Sequence, residues 1–171
     1  MRLNRKNFYF IAALFLLSIM LCSGCGHKAS TETEKVCTIS INCSTVLTKT
    51  DIINPDLLAM LPEDGWILAP VEIVFTEGDS AFDVLMRTVR KYNIHMEYMD
   101  TPLYDSAYIE GIANLYEFDA GAQSGWMYRV NGRFPNYGCS GYSLMENDTI
   151  EWVYTCDLGK DVGNDDAERL Q

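Results

Sequence analysis

The residues of this chain best suited to chemistry are aromatic rings and thiols. Trp126 and Tyr128 alternate along one short segment, Trp152 and Tyr154 along another, and Phe134, Tyr137 and Tyr142 lie in a Gly-containing passage between them. Rings two residues apart share one face of a strand, which suits a core. Rings in an irregular passage have less reason to be buried, and flat faces with few charges suit a mostly uncharged macrocycle or a glycan. Trp126, Tyr128, Phe134, Tyr137 and Tyr142 are therefore the candidate ligand-binding residues, with Tyr104 and Tyr108 as neighbours.

Catalytic patterns are poor by comparison. Ser124 lies in Gly121-Ala-Gln-Ser-Gly125, which is not the G-x-S-x-G elbow, and His95 sits at an alternating strand position. Dinucleotide, Walker and zinc-protease motifs are missing from the sequence. The expectation is a non-enzymatic domain with no catalytic residue, no metal and no cofactor. The acidic end, Gly159 to Gln171, lacks the ligand order of a calcium loop, and the cysteines lack a C-x-x-C knuckle for zinc.

Charge narrows the partners. The 171 residues carry 24 Asp and Glu against 13 Lys and Arg, a net −11. A protein that tracks phosphates through a basic surface is excluded, so no nucleic-acid partner is expected. Arg2, Arg5 and Lys6 precede an uncharged apolar run, Phe8 to Leu21, of 14 residues. That is the pattern of an export signal, shorter than the roughly 20 residues of a spanning helix. Residues 1–24 are read as the signal. Leu21-Cys-Ser-Gly-Cys25 resembles the lipobox of bacterial lipoproteins, which implies lipidation at Cys25 and an extracytoplasmic domain anchored to the cell membrane. The signal removes three positive charges and no negative ones, so the exported chain is more acidic than the whole. Residues 25–35 read as a tether, 36–158 as the folded domain and 159–171 as an acidic disordered tail.

Within the domain, Cys37, Ile39, Ile41 and Cys43 alternate with polar residues as in a half-buried strand. Asn54-Pro55 opens at most a short helical turn, and Val71 to Thr76 is a second strand. Ser80-x-x-Asp83 starts a helix, with Phe82, Leu85, Met86 and Val89 on one side and Asn93 as its left-handed end. Ile94 to Met99, Gly125 to Val130 and Thr149 to Cys156 are further strands, Tyr108 to Phe118 is mixed, and Asn131-Gly132 is a tight turn. One helix cannot cover both faces of such a sheet. The spacing therefore predicts an α+β, β-grasp-like mixed sheet of four to five strands with one main helix on one face. Its first and last strands lie parallel in the middle.

Four cysteines fall in this region, and an even number in an exported domain predicts two disulfides with three connectivities. Cys37 and Cys43, six residues apart on one strand, are separated by about 20 Å and cannot join. Parallel first and last strands bring Cys43 near Cys156 and leave Cys37 to Cys139.

The segments Cys37 to Cys43, Glu77 to Leu85, Tyr108 to Ile112, Ser124-Gly-Trp-Met-Tyr-Arg-Val-Asn-Gly132 and Tyr142 to Trp152 together resemble the transcobalamin-like C-terminal domain family of bacterial surface proteins. The resemblance implies a β-grasp ligand-binding domain similar to the small lobe of vitamin B12 carriers. There a corrinoid lies between that lobe and a larger helical one. The implied ligand is cobalamin, another corrinoid or a different small molecule, with a partner surface protein supplying the rest of the site. The alternative is a cell-surface module that docks a protein or glycan through the same loops.

Overall fold

The computed structural model describes residues 34–102 and 106–164. Strand β1, Glu34–Asn42, buries Cys37, Ile39 and Ile41, and strand β7, Thr149–Thr155, buries Ile150, Trp152 and Tyr154. The two run parallel, from Thr38 opposite Thr149 to Asn42 opposite Val153. Strand β2, Trp66–Thr76, pairs antiparallel with β1, and β6, Gly125–Val130, pairs antiparallel with β7. The order β2-β1-β7-β6 therefore puts the first and last strands at the centre, as the spacing predicts.

Helix α1, Pro55–Leu58, is a single turn started by Asn54, whose side chain accepts the Asp56 N–H at 2.8 Å. The main helix, α2, spans Ala81–Tyr92. Ser80 and Asp83 cap it reciprocally, the Asp83 N–H donating to Ser80 Oγ and the Ser80 N–H to Asp83 Oδ2, and Asn93 ends it at φ 54°. The expected apolar stripe is rotated: Val84, Leu85, Thr88 and Val89 are buried, whereas Phe82 and Met86 are half-buried. Thr88 can sit inside because its hydroxyl donates to the Val84 carbonyl at 2.7 Å.

The mixed sheet has four strands, within the expected four to five, and a second sheet stands in addition to it. Strands β3, Met96–Thr101, β4, Ser106–Ile112, and β5, Leu115–Tyr116, form an antiparallel β3-β4-β5 sheet, making seven strands in two sheets among the described residues. The mixed stretch divides at Ala113 and Asn114, both at positive φ (53° and 62°). Only the asparagine signals such a turn. Gly111 is required here, since a Cβ would lie 2.5 Å from Cδ1 of the Tyr116 ring. Two side chains tie the sheets together: Trp126 Nε1 donates to the Leu115 carbonyl at 2.8 Å and the Tyr154 hydroxyl to the Tyr116 carbonyl at 2.7 Å.

The fold also continues past the expected boundary at 158. A short turn at Lys160–Val162 follows, in which Asp161 Oδ2 accepts the Cys156 N–H at 2.8 Å. The signal, residues 25–33 of the tether with the lipidation site Cys25, Tyr104 and residues 165–171 lie outside the described residues.

Cys37, Cys43, Cys139 and Cys156 are buried free thiols, so the expected pairs Cys43–Cys156 and Cys37–Cys139 are not formed in this structure. In the first, both residues lie just past the strand ends: the β1–β7 ladder stops at Asn42 opposite Val153, Cys43 turns away from extended backbone at ψ 24° into a short helical turn at Ser44–Thr48, and β7 stops at Thr155. In the second, Cys37 Sγ turns to the Ile73 carbonyl on β2 (3.7 Å) and Cys139 Sγ to the Ala107 carbonyl on β4 (3.4 Å).

Iodoacetamide at pH 8 is expected to leave these four thiols unmodified in the native protein and to label all four in guanidinium chloride. A Cys43–Cys156 or Cys37–Cys139 link found by peptide mapping would instead restore the sequence-based pairing. Burial pushes the Cys37 and Cys43 thiols up from 9.0 to about 11. The native state then holds protons that the unfolded chain releases, so this contribution is complete below pH 9 and lost as pH rises through 11. Denaturant titrations should show stability falling across pH 9 to 11 by roughly 2 kcal/mol per thiol.

Candidate functional site

Strand β6 points Trp126 and Tyr128 to the same face, directly opposite Tyr154 and Trp152 on β7. The ring centroids are 5.3 Å apart for Trp126 and Tyr154 and 5.5 Å for Tyr128 and Trp152. These cross-strand pairs extend the core to the sheet edge. Trp126 is 8% exposed, so it is a core residue that joins the two sheets and not the ligand-contacting ring expected from the sequence. Trp152 is buried too, and its indole N–H has no hydrogen-bond partner among the described residues.

At the end of β6 the chain turns tightly. Val130 and Arg133 exchange both backbone hydrogen bonds, at 2.9 and 3.0 Å, around Asn131 (φ 52°) and Gly132 (φ 75°). Asn131 also fastens this turn to the start of β7: its amide donates to Asp148 Oδ1 at 2.8 Å and its carbonyl oxygen accepts the Thr149 N–H at 3.0 Å. Asp148 is buried and accepts the Met145 N–H through its other oxygen.

The loop from Arg133 to Asp148 is held at several points. The Tyr128 hydroxyl donates to the Tyr137 carbonyl at 2.8 Å, and Ser140 Oγ accepts the Ala107 N–H at 3.0 Å. Burial at this contact raises the Tyr128 phenol well above its ordinary value and keeps it a donor. The Tyr142 carbonyl accepts the Ala81 N–H at the start of α2, and the Leu144 N–H donates to the Asp79 carbonyl. Tyr137 and Tyr142 stack, with centroids 5.9 Å apart and planes 14° from parallel, and Tyr142 meets Tyr128 edge-on at 6.2 Å.

Beside this stack is an open groove of about 650 Å³, lined by Asn131, Arg133, Phe134, Asn136, Tyr137 and Tyr142 among others. The structure thus brings together three of the five sequence-predicted rings, Phe134, Tyr137 and Tyr142. Tyr128 stands behind them as support, and Tyr137 is the most open at 52% exposure. Tyr108, expected as a neighbour, instead lies on the second sheet and donates its hydroxyl to Glu117.

Arg133, Asn136 and Arg129 were not among the expected site residues. Arg129 clasps Glu151 with two hydrogen bonds of 2.7 and 2.8 Å, donates to the Val162 carbonyl, and lies 5.9 Å from the Phe134 ring centroid. The Asn131-Gly132 turn is the signal that could have found Arg133, since the residue after such a turn emerges at a fixed place. Ser124 is engaged within its own turn, accepting the Ala120 N–H and donating to the Gly121 carbonyl. His95 lies at the start of the second sheet, 3.5 Å from Glu97.

Residues 78–156 match the model of a family described as a domain of unknown function, DUF4430. That span runs from the turn before α2 to the end of β7. No curated protein matches the chain. Among solved structures, haptocorrin in complex with Cbi superposes with a TM-score of 0.55 at 11% identity, over 74% of this chain and 26% of haptocorrin. A candidate metal binding protein from Ruminococcus gnavus gives a TM-score of 0.42 at 12% identity, over 71% of this chain and 96% of that one. The chain therefore spans about a quarter of haptocorrin's length, and what the two share is the fold.

Proposed function

We propose that this domain is a non-catalytic ligand-binding module, held on the outer side of the cell membrane by a lipid on Cys25, whose ligand lies on the Phe134, Tyr137 and Tyr142 groove. The observation that carries the reading is the Tyr137–Tyr142 stack at 5.9 Å, backed by Tyr128. A flat ligand ring laid on Tyr137 extends a stack that is already built, so little ordering cost falls on the protein when it binds.

Cobalamin or another corrinoid is the first ligand to test. The motifs from Ser124 to Gly132 and the haptocorrin-like fold support it. A domain matching 26% of haptocorrin offers part of a carrier's surface, and a partner protein completes the site in this reading. The non-catalytic assignment is supported by the internal engagement of the Ser124 hydroxyl. The anchor reading is supported by the basic start, the apolar run from Phe8 to Leu21 and the lipobox-like Leu21-Cys-Ser-Gly-Cys25.

Titration of cobalamin and cobinamide into the full-length protein, followed by co-elution of the corrinoid absorbance, should show binding that weakens about tenfold in Tyr137→Ala. Absence of binding up to about 1 mM, a standard free energy of about −4 kcal/mol, would remove corrinoids as ligands of this protein on its own. Cys25→Ser should release the protein from the membrane fraction of expressing cells. Retention there would count against the lipid anchor.

A further inference from the structure

Basic residues are scarce around the groove. Between Lys91 and Lys160 the sequence holds two, Arg129 and Arg133. Arg129 is fully engaged: its guanidinium is clasped by Glu151 and donates to the Val162 carbonyl. Arg133 is different. Among the described residues its side chain makes no salt bridge and no hydrogen bond, and it bonds only through the two backbone groups that close the turn.

The backbone of Arg133 is nonetheless fixed, while its side chain is exposed. It leaves a two-residue turn whose Asn131 is fastened to Asp148 and Thr149, and it lines the groove beside Phe134, Tyr137 and Tyr142. Among the described residues, no acidic side chain lines this groove. In a chain of net charge −11, the groove is thus a concave place with one unneutralised cation and no carboxylate of its own. A free guanidinium at the rim of the groove offers a planar fork of donors that matches a carboxylate or phosphate, and a concave wall concentrates its field.

We propose that the groove selects ligands pairing a flat ring with an anionic group, the ring lying on Tyr137 and the anion on Arg133. This rests on the groove reading above and adds the chemistry that the ligand must carry. An isolated ring loses the guanidinium contact, and an isolated anion loses the stack.

Riboflavin and riboflavin 5′-phosphate differ in one phosphate on the same tricyclic ring, and stacking on tyrosine quenches their fluorescence. With the full-length protein at low salt, the phosphate form should bind about tenfold more tightly. Arg133→Gln should remove that preference while leaving riboflavin itself unchanged, and added salt should narrow the gap in the wild type. Tyr137→Ala should weaken both flavins alike.

Equal affinity for the two flavins, with both still weakened by Tyr137→Ala, would overturn the role of Arg133 and leave the groove standing. So would an Arg133→Gln variant that weakens both equally. If neither flavin binds, or if Tyr137→Ala changes nothing, the groove reading fails and this proposal with it.

Discussion

The constraint from which the rest of the structure follows is the parallel pairing of β1 with β7. Parallel neighbours cannot be joined by a tight turn, so everything between Asn42 and Thr149 has to travel out and return in the same direction. That excursion carries the main helix, the second sheet and β6, and it ends beside the strand on which it began. The two central strands are also the most deeply buried, with Ile39, Ile41 and Ile150 fully enclosed. At about 25 cal/mol per Å² of apolar surface, such ladders supply much of the stability that fixes the loops at the sheet edge.

What was legible in the sequence was whatever local chemistry specifies without help. Ser80 and Asp83 cap a helix wherever that spacing precedes an apolar stripe, and Asn93 and Asn131 take positive φ at the helix end and the turn where the sequence marks them. The two-residue alternation in β1 and β7 was visible for the same reason. Ala113 and Phe118 also adopt positive φ, at 53° and 70°, and nothing about either residue type announces it. Backbone bonds to His95 and Ser124 hold them there, so the division of the mixed stretch into β4 and β5 stayed hidden.

The candidate site divides along the same line. Phe134, Tyr137 and Tyr142 were legible because aromatic residues in an irregular, Gly-containing passage stand out from core alternation. Trp126 was ambiguous, since a ring at an alternating position serves a core or a surface equally, and the Leu115 carbonyl that accepts its N–H is remote in sequence. Alternation placed Cys43 and Cys156 at the ends of neighbouring strands, but it carried no information about where the strands stop, and both residues fall just past the last paired positions. The importance of Arg133 depended on every other charge near it, a property no motif records.

The hydrogen bond from Tyr128 to the Tyr137 carbonyl joins two regions that are usually independent. Tyr128 packs on Trp152 in the core, while Tyr137 forms the open wall of the groove. Occupancy of the groove and integrity of the sheet edge are thereby linked equilibria: any molecule that favours the stacked arrangement of Tyr137 also favours the paired state of β6 with β7. A molecule seated on Tyr137 would then be read out as resistance to unfolding.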